Sequence, residues 1–304
     1  MNIKIAISLF CVLPFFLCAK ASDTKAPPSA GGGEAIVLKG SDIVAPAIGD
    51  VLKETAKNEN IKLVLDMKGT YPLLREDSPE DFDIAVVAVP KGMKLPGGLV
   101  AFPFAYQAAI VVVNASNPLD EISTDSLRRI YSNVGTNRIE TWDQVGVRYA
   151  GLRNILPMVT SYSDGICTEL FKYTCLDGEI LGEWVAVMKN SSAVLSDVRV
   201  NNSAIGVVGK VYDRNTVKVL SVSDSKSGGN YRYAFPPNQT AIFNGDYPLT
   251  LSFYVVLKKD KAKKVKKLVN VLLGKAVADK LDMSGFFSAP SESRKKSLFE
   301  LDIL

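Results

Sequence analysis

Residues 159–172 read VTSYSDGICTELFK, in which a strand-like run passes through Ser, Asp and Gly into a segment typical of a helix. A turn of this kind places backbone N–H groups without intrahelical acceptors, and the positive end of a helix dipole, at the mouth of a pocket. Small anions bind at such positions without a metal ion. No Arg or Lys lies between Arg153 and Lys172, so the predicted anion cradle has no cation from its own segment.

Strands and helices alternate around this segment in the manner of an α/β protein with mainly parallel sheets. Ser41 or Asp42 is predicted to cap a helix from about Val44 to Asn58. The continuous apolar runs at 81–90 and 108–114 are typical of buried strands. Further strands are predicted at 35–38, 61–65, 155–160, 204–208 and 249–257, and further helices at 125–131, 168–173, 191–201 and 275–281.

Met1 to Ala21 reads as an export signal. An apolar core of signal-peptide length, too short for a comfortable membrane span, is followed by Ala19-Lys20-Ala21, which fits the small-x-small cleavage pattern. Residues 22–33 follow as a flexible linker. We expect a periplasmic or secreted protein. Lipid attachment at Cys18 is the alternative, and the bulky Leu17 before it argues against this.

The net charge of the chain indicates which kinds of binding partner are favoured. The formal charge is +4, and removal of a signal with two Lys and no acidic residue lowers it to +2. That balance favours neither nucleic acid nor an acidic membrane surface as a partner. The basic run at 258–267 is interleaved with apolar residues at helical spacing, so it is predicted to be the solvated face of an amphipathic helix.

The chain contains no His. This excludes Ser-His and Cys-His nucleophile pairs and imidazole metal ligands. Neither a P-loop nor a two-Cys zinc spacing occurs, so we predict no enzyme, no cofactor and no metal site. Cys167 and Cys175 would lie about 12 Å apart on one unbroken helix, too far for a disulfide. We expect two unpaired, partly buried thiols, with a disulfide as the alternative if the helix ends before Cys175.

Several segments, taken in order, resemble the type II periplasmic solute-binding proteins, and most closely the phosphate-binding subunit of bacterial phosphate ABC transporters. GSDIVAP at 40–46 is similar to the family's first ligand loop, and FDIAVVAVP at 82–90 to its buried strand. The stretch at 110–133 and TWDQVG at 141–146 resemble its hinge strand, helix and Trp-containing turn. SAIGVVG and DYPLTLSFYVVLKK match the late strand and the return crossover.

The resemblance implies two α/β lobes joined by crossover strands, with a ligand held between them. Residues 34–113 and 241–304 would form lobe 1, and residues 114–240 would form lobe 2. The C-terminal tail at 291–304 is expected to pack on lobe 1, with docking to another protein as the alternative. The partners implied are a small anion such as phosphate, or another small polar solute, and an ABC permease; a monomer is expected.

The resemblance also implies a ligand site built largely from main-chain amides of three loops. Its residues would be Ser41, Asp42 and Ile43, then Gly69 and Thr70, and finally Tyr162, Ser163, Asp164, Gly165 and Thr168. Five of these residues have a structural alternative. Tyr162 could fill the cleft and hold the lobes shut, while Asp164, Thr168, Ser41 and Thr70 could serve as helix caps.

The chain departs from the family where the anion would bind. The family's Arg followed by Gly-Ser-Gly-Thr is replaced by Tyr162 and Gly165-Ile166-Cys167-Thr168, and the later strand ends in Val89-Pro90. A desolvated phosphate needs many charge-assisted hydrogen bonds. Lys68 is the candidate to restore positive charge. The sequence therefore predicts an exported binder of phosphate or another small polar ligand, or alternatively a diverged scaffold or sensor that acts through protein contacts.

Overall fold

The computed structural model describes residues 34–69, 81–89, 96–135, 137–149, 151–213, 215–225 and 233–304. The predicted signal peptide and linker, Thr70 and Pro90 lie outside these residues. None of the helices in these ranges is both long and apolar enough to span a membrane.

Two sheets organise the chain. The six-stranded sheet contains β1 (Ile36–Gly40), β2 (Leu63–Asp66), β3 (Ile84–Val89), β4 (Leu99–Ala108), β12 (Thr250–Lys258) and β13 (Phe287–Ser288), in the spatial order β13-β4-β12-β3-β1-β2. The five-stranded sheet contains β5 (Ile110–Asn114), β7 (Leu156–Thr160), β8 (Ala186–Met188), β9 (Ala204–Val208) and β10 (Val217–Val219), in the order β10-β5-β9-β7-β8. Strands β6 (Glu121–Ser123) and β11 (Ser221–Ser223) form a separate pair.

The helices belong to one or the other sheet. Lobe 1, which carries the six-stranded sheet, includes α1 (Ala45–Asn58), α6 (Ala262–Leu272), α7 (Lys275–Met283) and α8 (Ser291–Ile303). Lobe 2, which carries the five-stranded sheet, includes α2 (Thr124–Tyr131), α3 (Cys167–Cys175) and α4 (Ser191–Val200). Helix α5 (Gln239–Asn244) packs against β4 and β13.

Strand β3 shows how burial explains the sequence pattern. It lies between β12 and β1 in the interior of its sheet, and nearly every residue is buried. On one face Ile84 and Val86 join the core formed with α1 and α6, while Ala85 and Val87 join a second cluster. A strand buried on both faces has a continuous apolar run rather than alternation.

The sheets are mixed in direction. Parallel pairing holds for β1 with β2 and β3, and for β7 with β8 and β9. Strand β12 pairs antiparallel with β3 and β4, and β5 pairs antiparallel with β9. The predicted parallel core of each lobe is therefore present, and the strands that cross between lobes add antiparallel pairs because they return in the opposite direction.

The two crossings between the sheets are hydrogen-bonded to each other. Strand β4 ends at Ala108 and β5 begins at Ile110, so Ala109 is the only residue between two strands of different sheets. Its N–H donates to Leu249 O (2.9 Å), and its carbonyl accepts from the hydroxyl of Tyr247 (2.8 Å). We therefore propose that the lobe boundaries lie at Ala109 and Leu249, rather than after residues 113 and 240.

The predicted cap of α1 is wrong. The residue before the helix is Val44, and no side chain caps the helix within the described part of the chain. The Ser41 hydroxyl instead accepts from the N–H of Ile43 (3.3 Å), within the preceding turn. Pro46 lies in the first helical turn, where its missing N–H removes one of the donors that a cap would serve.

Other predictions are confirmed. Helix α3 runs unbroken from Cys167 to Cys175, and both thiols are buried and are not joined to each other in a disulfide. Residues 262–267 of the basic run lie in α6, whose Val265, Leu268, Val269 and Leu272 are buried, whereas Lys258 ends β12 and Lys259–Lys261 form a 3-10 turn. The C-terminal tail forms α8, which packs on lobe 1 with Leu301 in its core. Arg294 fastens this helix by donating to Leu273 O (3.0 Å).

Candidate functional site

Helix α3 begins as the sequence predicts, at the carboxyl end of a parallel strand. A short 3-10 turn, Tyr162–Asp164, separates β7 from the helix, and Gly165 follows at φ 125° and ψ −168°. That backbone conformation is open essentially to glycine alone. No described side chain caps the helix at Ile166, so the first-turn N–H groups have neither an intrahelical acceptor nor a side-chain cap.

The N-terminus of α3 opens into a cleft of about 120 Å³. Lobe 1 contributes Gln107 and Ala108 at the end of β4 and Ser284 and Gly285 after α7, and lobe 2 contributes the α3 terminus. The residues that line the cleft from lobe 2 include Gly165, Ile166, Cys167, Ser191, Gly209 and Lys210. The cleft therefore lies where the two lobes meet, beside the first crossing strand.

Lys210 brings positive charge to this cleft. It follows Gly209 at the end of β9, and it is the only basic side chain among the described residues that line the cleft. Its Nζ donates to the carbonyl oxygen of Met283 (2.5 Å) and lies 5.2 Å from the ring centre of Tyr212. Sequence analysis missed Lys210, although its position directly after the predicted strand 204–208 was a usable signal.

Two polar groups of the cleft have different roles. The Oε1 atom of Gln107 is buried and has no hydrogen-bond partner among the described residues, an arrangement that is costly unless another molecule satisfies it. The carboxylate of Asp164 accepts from the N–H (2.8 Å) and the hydroxyl (2.9 Å) of Ser191. Asp164 therefore binds the first residue of α4, whose N-cap is Asn190, and it does not cap its own helix.

The remaining predicted residues of lobe 2 are arranged as follows. Thr168 is fully buried and donates to Thr160 O (2.7 Å), which ties α3 to β7. The N–H of Ser163 donates to the hydroxyl of Ser161 (3.3 Å). Tyr162 is 52% exposed, with its ring centre 5.5 Å from the Lys172 ammonium, and it does not line the cleft.

The predicted residues of lobe 1 form a second group. Ser41 is buried, and its N–H donates to Val86 O (2.8 Å). Gly69 donates to Gly40 O (2.9 Å), so two of the predicted loops meet there. A side chain at Gly40 would place its Cβ 2.2 Å from Val86 O, which explains the glycine. The Lys68 ammonium pairs with Asp66 (3.0 Å) on the surface.

Asp42 is exposed and Ile43 is half-buried, and Thr70 lies outside the described residues. The cleft at α3 is lined from lobe 1 by the ends of β4 and α7 rather than by residues 41–43. Convergence of the two groups on one ligand stays a prediction.

A second cleft, with a different lining, lies at the C-terminal end of α3. A cleft of about 710 Å³ there is lined by Tyr106, Tyr173, Tyr247 and Tyr254 together with Asp177 and Asp224. Its described lining contains no Lys or Arg. The carboxyl end of a helix dipole disfavours anions, so of these two clefts the one at the α3 N-terminus is suited to a small anion.

Two α/β lobes joined by crossing strands, with a cleft at their junction, define the fold of a solute-binding protein. The PBP superfamily domain model matches residues 25–276. The chain belongs to the PBP superfamily, a family of substrate-binding proteins, and the two-lobed fold predicted from the sequence is confirmed.

Known proteins of similar sequence or structure include phosphate-binding ones. Protein SphX of Synechococcus elongatus is 25% identical over 257 residues, which cover 79% of this chain and 74% of that protein. A possible phosphate-binding protein from Planctomyces limnophilus has a TM-score of 0.67 at 19% identity and covers 88% of this chain and 98% of its own. PstS from Borrelia burgdorferi also has a TM-score of 0.67, at 20% identity, with coverages of 85% and 100%. The chain thus resembles phosphate-binding subunits of ABC transporters.

Proposed function

We propose that this chain is an exported receptor that holds phosphate, or another small oxyanion, between its lobes and delivers it to an ABC permease. The observation that carries the proposal is the uncapped N-terminus of α3, which opens into an interlobe cleft beside the ammonium of Lys210. The likeness in fold to a possible phosphate-binding protein from Planctomyces limnophilus supports phosphate as the first ligand to test.

The chemistry of the cleft fits an anion better than a cation. Main-chain N–H groups of the first turn of α3 have no intrahelical acceptor and lie at the cleft, and the helix dipole adds partial positive charge. Lys210 contributes a full charge, while the one carboxylate of the described lining, Asp164, is bound to Ser191. Lysine is a point charge without the bidentate geometry of arginine, so we expect weaker binding than an Arg-containing site would give.

The side chains of the cleft support a binding role rather than catalysis. The thiol nearest the anion position is Cys167, and burial raises its pKa to about 12. A thiol with that pKa stays neutral near pH 7 and is a poor nucleophile. The cleft lining described above contains no free carboxylate that could act as a general base.

Isothermal titration calorimetry of the protein beginning at Ser22 tests the proposal. Phosphate, arsenate, sulfate and chloride would each be titrated at the same ionic strength. We expect one site per chain, with a dissociation constant in the micromolar range for at least one oxyanion and none for chloride. Absence of binding to every oxyanion at millimolar concentration would overturn the proposal and favour the scaffold or sensor role.

A further inference from the structure

Lys210 connects the cleft to the opposite lobe. It belongs to the loop after β9 of lobe 2, yet its Nζ donates to the carbonyl oxygen of Met283, the last residue of α7 in lobe 1. Carbonyl groups at the end of a helix carry partial negative charge and have no intrahelical donors. The ammonium is therefore bound at a place that suits a cation.

The aliphatic part of the side chain is held as well. Gly285 has φ 88°, and a Cβ atom there would lie 3.4 Å from the Cδ of Lys210. Glycine at this position lets the main chain after α7 pass directly along the lysine stem. The ring centre of Tyr212 lies 5.2 Å from the ammonium. Together these contacts hold a normally flexible side chain across the lobe junction.

The bond to Met283 leaves the ammonium able to bind more. A protonated lysine has three N–H donors, and one of them is used by the Met283 carbonyl. The same side chain lines the cleft at Gly165 and Cys167, at the start of α3. An anion bound there can accept from the amides of α3 and from the remaining donors of Lys210.

We propose that Lys210 is the cation of the anion site and that its anchorage on Met283 makes the bound anion a bridge between the two lobes. This inference rests on the proposed function, and it identifies the residue that replaces the missing arginine. Anion binding and lobe closure are then coupled through one side chain, because the ammonium contacts the ligand and the end of α7 at the same time.

The test compares phosphate titrations of wild type, K210M, K210R and K53M at two salt concentrations. K210M removes the charge and keeps the length of the stem, whereas K210R keeps the charge. Lys53 is an exposed residue of α1, so K53M is a control for net charge. K210Q provides a second neutral variant, and circular dichroism melting shows that each variant is folded.

We expect K210M and K210Q to weaken phosphate binding by about 10- to 100-fold, the usual effect of losing a charge-assisted hydrogen bond. K210R should recover most of the affinity, and K53M should match wild type. The salt dependence of the dissociation constant should also become shallower in K210M.

Equal affinity of wild type and both neutral variants, with binding intact, would overturn the role of Lys210 and leave the proposed function standing. Failure of wild type itself to bind phosphate or another oxyanion would overturn the proposed function, and the role of Lys210 with it.

Discussion

The carboxylate of Asp164 accepts both the N–H and the hydroxyl of Ser191, at 2.8 and 2.9 Å. Asp164, which directly precedes Gly165, therefore holds the first residue of α4 in place. Helices α3 and α4, which follow parallel strands of lobe 2, are thus linked at the edge of the cleft. This link stabilises the turn that precedes α3.

Asp164 is expected to act on stability rather than on ligand contact. D164A should lower the free energy of unfolding by about 1–2 kcal/mol, of the order of a hydrogen bond to a charged group, and D164N should lower it less because an oxygen acceptor remains. S191A, which keeps the N–H donor, is the matched control. Urea unfolding gives these values. If D164N abolished phosphate binding without changing stability, Asp164 would be a ligand group instead.

Substitution of Gly165, which precedes α3, should weaken phosphate binding, whereas substitution of Gly178, which follows α3, should not. Gly165 and Gly178 flank α3 on opposite ends, both at positive φ and both with open space around an added Cβ. Alanine at either position strains the backbone by about 1–3 kcal/mol. We expect similar losses of thermal stability, but a loss of phosphate affinity only in G165A. Equal affinity of G165A and G178A would contradict an anion site at the α3 N-terminus.

The hydrogen bond between Tyr247 and Ala109 should restrain the lobe junction in addition to stabilising the fold. Tyr247 donates to Ala109 O at the lobe junction, whereas Tyr131 donates to Ile205 O (2.9 Å) inside lobe 2; both rings are fully buried. Y247F and Y131F should each cost about 1–3 kcal/mol because a buried carbonyl loses its donor. Small-angle X-ray scattering should show an altered distribution of lobe separations in Y247F alone. An unchanged profile for Y247F would show that this bond does not restrain the junction.

Cys167 should make stability depend on pH in the alkaline range. Its pKa is raised by burial from 9.0 to about 12, so the folded chain retains a proton that the unfolded chain releases above pH 9. The stabilisation is fully present below pH 9 and is lost as the pH rises toward 12. Wild type should therefore lose more stability than C167A between pH 8 and 10, as measured by urea unfolding. Identical slopes would place the thiol in solvent, contrary to its burial.

Much of the fold can be predicted from the sequence because the patterns that indicate its strands and helices are local. The apolar run of β3 and the amphipathic spacing of α6 both predict elements that the structure contains. Strand β4 escaped prediction because Pro103 resembles a strand breaker. The structure accommodates Pro103 opposite Tyr254, at the register shift between Phe253 and Tyr254, where a bulge interrupts regular pairing.

Only the local part of the candidate site can be predicted from the sequence. The turn at 162–165 and the start of α3 are encoded within a few residues, so glycine and helix propensity are enough to find them. Gln107 and Lys210 approach the same cleft from strands about 60 and 45 positions away along the chain. Their meeting depends on the order of strands in two sheets, which no local pattern contains.

A crystal structure of the protein beginning at Ser22, grown with millimolar phosphate, tests the anion site directly. We expect tetrahedral density between the first-turn amides of α3 and Lys210 Nζ, within 3.2 Å of both, a normal hydrogen-bond length. Phosphate held elsewhere, with this cleft occupied only by water, would contradict it.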